Sequence, residues 1–175
     1  MQYTTTLILA LTTTISALDI RLFTTNDGCQ GAYAACVNIN PTTCCSHNSG
    51  ARYPSIDFVA IPRSWNIQVR GWTGGSCGAL AVSGHAQGVT GYCLSDPNPV
   101  SNIAFSGGGY KFLSKRRSRT PEPSEQCAVE EASPCESTVK PNLFVLADST
   151  EYDIADMPEP LLETLVRIYS RLRCC

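Results

Sequence analysis

Ten cysteines in a chain of 175 residues constrain this sequence more than any other feature. In a reducing cytosol so many thiols would need catalysis or metal binding to account for them. An oxidising compartment accounts for them together, as cross-links. They fall at Cys29, Cys36, Cys44, Cys45, Cys77, Cys93, Cys127, Cys135, Cys174 and Cys175. Adjacent cysteines have Cα atoms about 3.8 Å apart, below the span a disulfide prefers, so Cys44 and Cys45 are expected to reach different partners. Cys29, Cys36, Cys77 and Cys93 are the pool for those partners, and spacing alone leaves the connectivity open. The favoured pairing is Cys77 with Cys93, closing a loop of about 15 residues worth roughly 3 kcal/mol. Cys127 with Cys135 would close a short loop of its own. Cys174 and Cys175 have no evident place, one of them being free or bridging to another chain.

The compartment has a second, independent sign. Leu7-Ile8-Leu9-Ala10-Leu11 is a short apolar run, and Ile15-Ser16-Ala17 is a small-residue cleavage signal. Residues 1–17 therefore read as a signal peptide, although no Lys or Arg precedes the apolar run and Ile15 is large for its position. The competing reading is a buried N-terminal strand, which the threonines would favour. No other stretch approaches the length of a membrane span, so a secreted, extracellular protein with no transmembrane segment is expected. Charged residues make up only 16%, with a formal net charge of -2. That argues against nucleic acid, which requires a basic stripe to neutralise phosphates.

Residues 18–113 carry short apolar runs separated by turn residues. Ile20-Arg21-Leu22-Phe23, Asp57-Phe58-Val59-Ala60-Ile61, Asn66-Ile67-Gln68-Val69 and Gly109-Tyr110-Lys111-Phe112 read as strands, several alternating with period 2. Asn26-Asp27-Gly28 and Gly74-Gly75-Ser76 supply turn chemistry. A faint repeat is visible, in which Ile20-x-Leu22 leads to Cys29-Gln30-Gly31 and Ile67-x-Val69 leads to Cys77-Gly78. Two related hairpin units packed face to face would explain it. Residues 114–140 are charged and proline-rich, too poor in apolar groups to order themselves, and read as a linker. Within 141–173, Asn142–Ala147 and Glu151–Ile154 read as a hairpin turning at Asp148-Ser149. A helix is then expected to start near Pro158 or Pro160. Its apolar face would be Leu161, Leu165, Ile168 or Tyr169, and Leu172, with Glu159 and Glu163 early and Arg167, Arg171 and Arg173 late. The expected fold is thus β-rich α+β: a disulfide-stapled antiparallel β-sandwich with a C-terminal hairpin–helix appendage.

No motif assembles a catalytic site. Gly74-Gly75-Ser76-Cys77-Gly78 satisfies G-x-S-x-G, but a nucleophile elbow needs a following helix, then an acid, then a histidine. Ala79–Tyr92 is glycine-rich and unhelical, and the one later histidine, His85, has no acid before it. Cys77 with His85 would need an accessible thiolate, which a disulfide denies. Cys44-Cys45-Ser46-His47 has a metal-corner look without the C-x-x-C partner that structural zinc requires, so no metal and no cofactor are expected. Ser106-Gly107-Gly108-Gly109-Tyr110 lacks the lysine of a P-loop and reads as a loop feeding an edge strand. Trp65, Trp72 and Tyr92 are a candidate aromatic platform for sugars, with core packing the plainer use. Lys115-Arg116-Arg117, in the linker, is a candidate processing site, because proteases need locally unfolded backbone; the plainer use is a solvated charge run.

Cys29-Gln30-Gly31-Ala32-Tyr33, Cys36-Val37-Asn38-Ile39-Asn40-Pro41-Thr42-Thr43-Cys44-Cys45, Ile61-Pro62, Trp65, Gly75-Ser76-Cys77 and Ser106–Tyr110 together resemble a group of small secreted cysteine-rich fungal proteins. The resemblance covers most of the mature chain and implies location and class rather than an activity. Ile20-x-Leu22-Phe23 with Cys29–Tyr33 is similar to the opening of a βγ-crystallin Greek key, with one extra residue before Cys29 and without that family's acidic calcium motif. The expected function is a non-catalytic, effector-like or surface-interaction role towards an extracellular protein or glycan. The alternative is a small secreted carbohydrate binder or hydrolase using the Trp72–His85 region.

Overall fold

The computed structural model describes residues 17–25, 28–47, 51–96, 103–113 and 135–171. Its strands are β1 (Leu18–Phe23), β2 (Tyr33–Ile39), β3 (Thr43–Ser46), β4 (Ser55–Val59), β5 (Asn66–Thr73) and β6 (Ala79–Gln87). They continue with β7 (Gly91–Ser95), β8 (Gly107–Phe112), β9 (Ser137–Val139), β10 (Leu143–Val145) and β11 (Glu151–Asp153), and α1 (Glu159–Arg171) follows. One sheet is antiparallel throughout, in the order β11-β10-β2-β1-β4-β7. The other runs β6-β5-β8-β3-β9, with β3 and β9 parallel.

The two sheets bury one core between them. Ile20, Leu22, Ile56 and Phe58 enter it from the larger sheet, and Ile67, Val69 and Tyr110 from the smaller. The Tyr110 hydroxyl crosses the gap and donates to the carbonyl of Ile39 at 3.0 Å. Close approach is permitted by Gly108, where a Cβ would fall 2.9 Å from Ile56 and 3.2 Å from Ile20. The expected β-sandwich with a C-terminal helix is therefore present. The two hairpins of the faint repeat lie one in each sheet, as β1–β2 and β5–β6, and both Cys29 (φ 61°) and Cys77 (φ 58°) sit at positive φ after their turns.

Several particulars differ from the sequence reading. The triple glycine is not a loop feeding an edge strand: Gly107–Gly109 open β8, which is flanked by β5 and β3. Glycine weakens most strands, but here both faces of β8 are approached closely enough to require it. Strands β2, β3, β6 and β7 were not foreseen. β6 buries little and carries small and polar residues, so its alternation is faint. The segment read as a linker ends sooner than expected, since Ser137–Val139 pairs with β3; residues 114–134, including Lys115, Arg116, Arg117 and Cys127, lie outside the described residues. The C-terminal hairpin is no mere appendage, because β10 extends the larger sheet beside β2. Phe144, Ile154, Leu162 and Val166 join the common core.

The helix buries a face that shares Leu165 and Tyr169 with the expected one but is shifted away from Leu161 and Ile168. Leu162 and Val166 are buried and Leu165 and Tyr169 half-buried, whereas Leu161 and Ile168 are 60% and 50% exposed. Both i, i+3, i+4 stripes are apolar, and the ring of Phe144 selects the one that carries Tyr169, with centroids 5.5 Å apart.

Among the described residues the disulfides are Cys29–Cys93, Cys36–Cys45 and Cys44–Cys77. Cys44 and Cys45 do reach different partners, but the Cys77–Cys93 pairing is incorrect. Cys93 lies on β7 at the edge of the larger sheet, whereas Cys77 lies in the β5–β6 turn of the smaller one. Cys36–Cys45 ties the two sheets together through the core, and Cys29–Cys93 holds the β1–β2 turn to the edge strand β7. The signal-peptide segment, apart from Ala17, and the two terminal cysteines lie outside the described residues.

Candidate binding face on the smaller sheet

Strand alternation decides what the outer face of the smaller sheet displays. Ile67 and Val69 point into the core, so Gln68, Arg70 and, beyond a bulge, Trp72 point outward. Residues paired across neighbouring strands share a face. Gln68 is opposite His85 on β6 and Lys111 on β8, which makes one outward row. Ser83, Arg70, Gly109, Cys44 and Thr138 make the next, across all five strands. At the centre of that second row Gly109 and Cys44 are small, so the row dips where its middle lies.

The Trp72 indole covers part of that dip, 3.1 Å from where a Gly109 Cβ would be. Trp72, Cys44 and Cys77 form a small second core on this face, with Leu80 and Cys135 packed against it. Beside it opens a cleft of about 380 Å³ lined by Arg70, Trp72, Lys111, Thr42, Cys135 and Glu136. Its polar groups are held in place rather than splayed. Arg70 Nε donates to Gln68 Oε1 at 3.1 Å, and Gln68 Nε2 donates to Ser83 Oγ at 3.4 Å. Thr42 Oγ1 donates to Glu136 Oε2 at 3.0 Å. Arg70 is only 4% exposed, so its guanidinium acts on the cleft through a poorly screened environment. Burial pushes the Cys135 thiol up to about 11, with Arg70 opposing the rise.

The candidate sites from the sequence are scattered by the fold. Trp65 stacks on Tyr110 (centroids 6.0 Å) and meets Phe112 edge-on (4.8 Å), half-buried just before β5. Trp72 is buried on the outer face, and Tyr92 lies between the sheets, against Gly84 of β6. The structure does not bring these three into one platform. Ser76 and His85 lie at opposite ends of the β5–β6 hairpin, roughly 18 Å apart along the strands. Cys77 is engaged with Cys44, and His85 shares a hydrogen bond with the Asn66 side chain. The Cys44–His47 corner is dispersed too: Cys45 faces the core, and His47 is buried against the Tyr53 hydroxyl. Burial raises the Tyr53 phenol well above its ordinary value, which keeps it a neutral partner for the imidazole.

Arg70, Lys111 and Glu136 were not singled out from the sequence. Arg70 had a signal, since a cation in a period-2 strand must sit on the face away from the core. Glu136 had none, because it reaches Thr42 across 94 residues of chain.

Sheet order, staples and cleft define a class: a disulfide-stapled two-sheet β protein with a charged and hydroxyl-bearing cleft on the outside of its smaller sheet. The model of the ARB_05566_N family, an N-terminal domain, matches residues 19–142, and the chain belongs to that family. The matched stretch begins at the second residue of β1, runs through β9 and stops before β10. No curated protein and no solved structure matches the chain. Among the described residues no helix is long and apolar enough to cross a membrane.

Proposed function

We propose that this chain is a secreted, non-catalytic protein, effector-like in its role, that uses the outer face of the smaller sheet to engage an extracellular partner. The observation that carries the reading is the ordered polar network on that face. A buried arginine, braced by Gln68 and Ser83, opens onto a cleft with Lys111 and Glu136 at its rim. Fixed donors beside an apolar wall are how small-ligand sites obtain orientation as well as affinity. Three disulfides agree with an oxidising destination. The separation of Ser76 from His85 weighs against the hydrolase alternative.

A carbohydrate in the cleft is the second reading, favoured by the hydroxyl-bearing and charged side chains of Thr42, Arg70, Lys111 and Glu136 that line it. The test is binding of the secreted protein to a panel of neutral and acidic glycans and to intact cell surfaces, beside Gln68→Ala, Lys111→Ala and Glu136→Ala. Binding lost in these variants supports the reading. Binding indifferent to all three refutes the assignment of the face. Turnover on a hydrolase panel, abolished by Ser76→Ala or His85→Ala, refutes the non-catalytic role.

A further inference from the structure

The alternation that sends Cys45 inward to Cys36 sends Cys44 outward to Cys77, and Cys135 arrives beside them from the strand edge at β9. The three outward sulfurs, of Cys44, Cys77 and Cys135, all lie within 4.8 Å of one another. Cys44 and Cys77 are joined, and Cys135 is in no disulfide among the described residues. The trio is not a metal site in this state, because a soft metal needs thiolates and two of the sulfurs are spent on each other. A thiol packed against a disulfide is instead the reactant pair of thiol–disulfide exchange.

We propose that these three sulfurs form an exchange site, in which Cys135 displaces one member of the Cys44–Cys77 bridge and moves the staple onto the C-terminal segment. The Cys135 thiol loses its proton and its sulfur attacks Sγ of Cys44 or Cys77. A new S–S bond forms as the Cys44–Cys77 bond breaks, and the displaced cysteine leaves as a thiolate that takes up a proton. No electrons enter or leave the protein, so no oxidant or reductant is required.

The consequence is topological. All three described disulfides join residues between Cys29 and Cys93, so none reaches the segment 135–171. That segment supplies β9 to one sheet, and β10 and β11 to the other. Exchange would give it a covalent tie to the body of the sandwich. Room for the sulfurs is built in at Gly107, where a Cβ would come within 2.9 Å of Cys77 Sγ. The charged groups facing Cys135 are Arg70 from β5, Lys111 from β8 and its own neighbour Glu136. With the thiol held up at about 11 by burial, the thiolate is scarce at neutral pH, and exchange speeds up about tenfold for each unit the pH is raised towards that value.

The test is disulfide mapping of the full secreted protein, incubated at pH 9 to reach equilibrium, quenched in acid and alkylated. Digestion without reduction and mass spectrometry then assign every link. The expected result is peptides joining Cys135 to Cys44 or Cys77, with the displaced cysteine alkylated, alongside the Cys44–Cys77 peptide. In Cys135→Ser, Cys44–Cys77 should be the sole link at these positions, with neither cysteine alkylated. Fully alkylated Cys135 beside an intact Cys44–Cys77 bridge would overturn the proposal. So would Cys135 bridged entirely to Cys127, Cys174 or Cys175, or alkylated Cys44 or Cys77 persisting in the variant.

Discussion

Removing Cys29–Cys93 as Cys29→Ala/Cys93→Ala isolates what a cross-link contributes through the unfolded chain. Cys93 is exposed and Cys29 half-buried, so the double substitution opens no core cavity and leaves no buried thiol. The sequence separation is 64 residues, which in the loop-entropy relation gives about 4.3 kcal/mol. That overstates the effect, because the other two bridges already shorten the unfolded chain. Passing from Cys36 to Cys45 and from Cys44 to Cys77, the shortest covalent path from Cys29 to Cys93 is about 24 residues. The expected loss is then about 3.5 kcal/mol, or a fall in Tm of about 7–14 °C for a chain of this size. Urea unfolding followed by tryptophan fluorescence under non-reducing conditions measures it. A loss under about 1 kcal/mol would refute the chain-entropy argument. A loss above about 6 kcal/mol would show that the bridge holds the native sheet edge itself in place.

Leu162→Ala should cost about 2–5 kcal/mol and Leu161→Ala within about 0.5 kcal/mol by the same urea assay, since only the former is buried; equal losses would mean that the helix packs on another face. Gly71→Ala should cost about 1–3 kcal/mol, because the new methyl would meet the Phe105 ring at 2.7 Å and Leu94 at 3.0 Å; an unchanged urea midpoint would contradict that packing. Burial raises the carboxyl of Asp57 above its ordinary range, with the Arg21 charge and the Phe58 N–H pulling the other way. An acid raised in the folded state favours folding fully below its unfolded value, and that advantage is lost as pH rises through its folded value. Asp57→Asn should therefore gain stability relative to the wild type between pH 3 and pH 7, and a difference that shrinks over that interval would reverse the sign.

Much of the fold is legible because its signals are local. Period-2 runs at Ile20–Phe23 and Asn66–Val69 mark strands wherever one face is buried. Proline at Pro158 and Pro160, with the acidic start and basic end, marks the helix without any tertiary information. Small or polar strands escaped that reading, as at β6 and in the glycines of β8, because their side chains leave no hydrophobic period. On the helix, two apolar stripes competed, and the choice between them rests on Phe144, which belongs to another element.

Adjacency at Cys44-Cys45 determined that the two sulfurs reach different partners, since a vicinal bridge is strained; that one goes to each face follows from their place in β3. Which sulfur each one meets was decided only by strand order, which places Cys36 across the core from Cys45 and the β5–β6 turn beside Cys44. The cleft belongs to the same class of fact. Arg70 and Lys111 come from two strands and Glu136 from the bend just before β9, which docks in parallel on β3 from far along the chain. Local sequence sets which way a side chain points, but neighbours are set by pairing register, and register is a property of the assembled sheets.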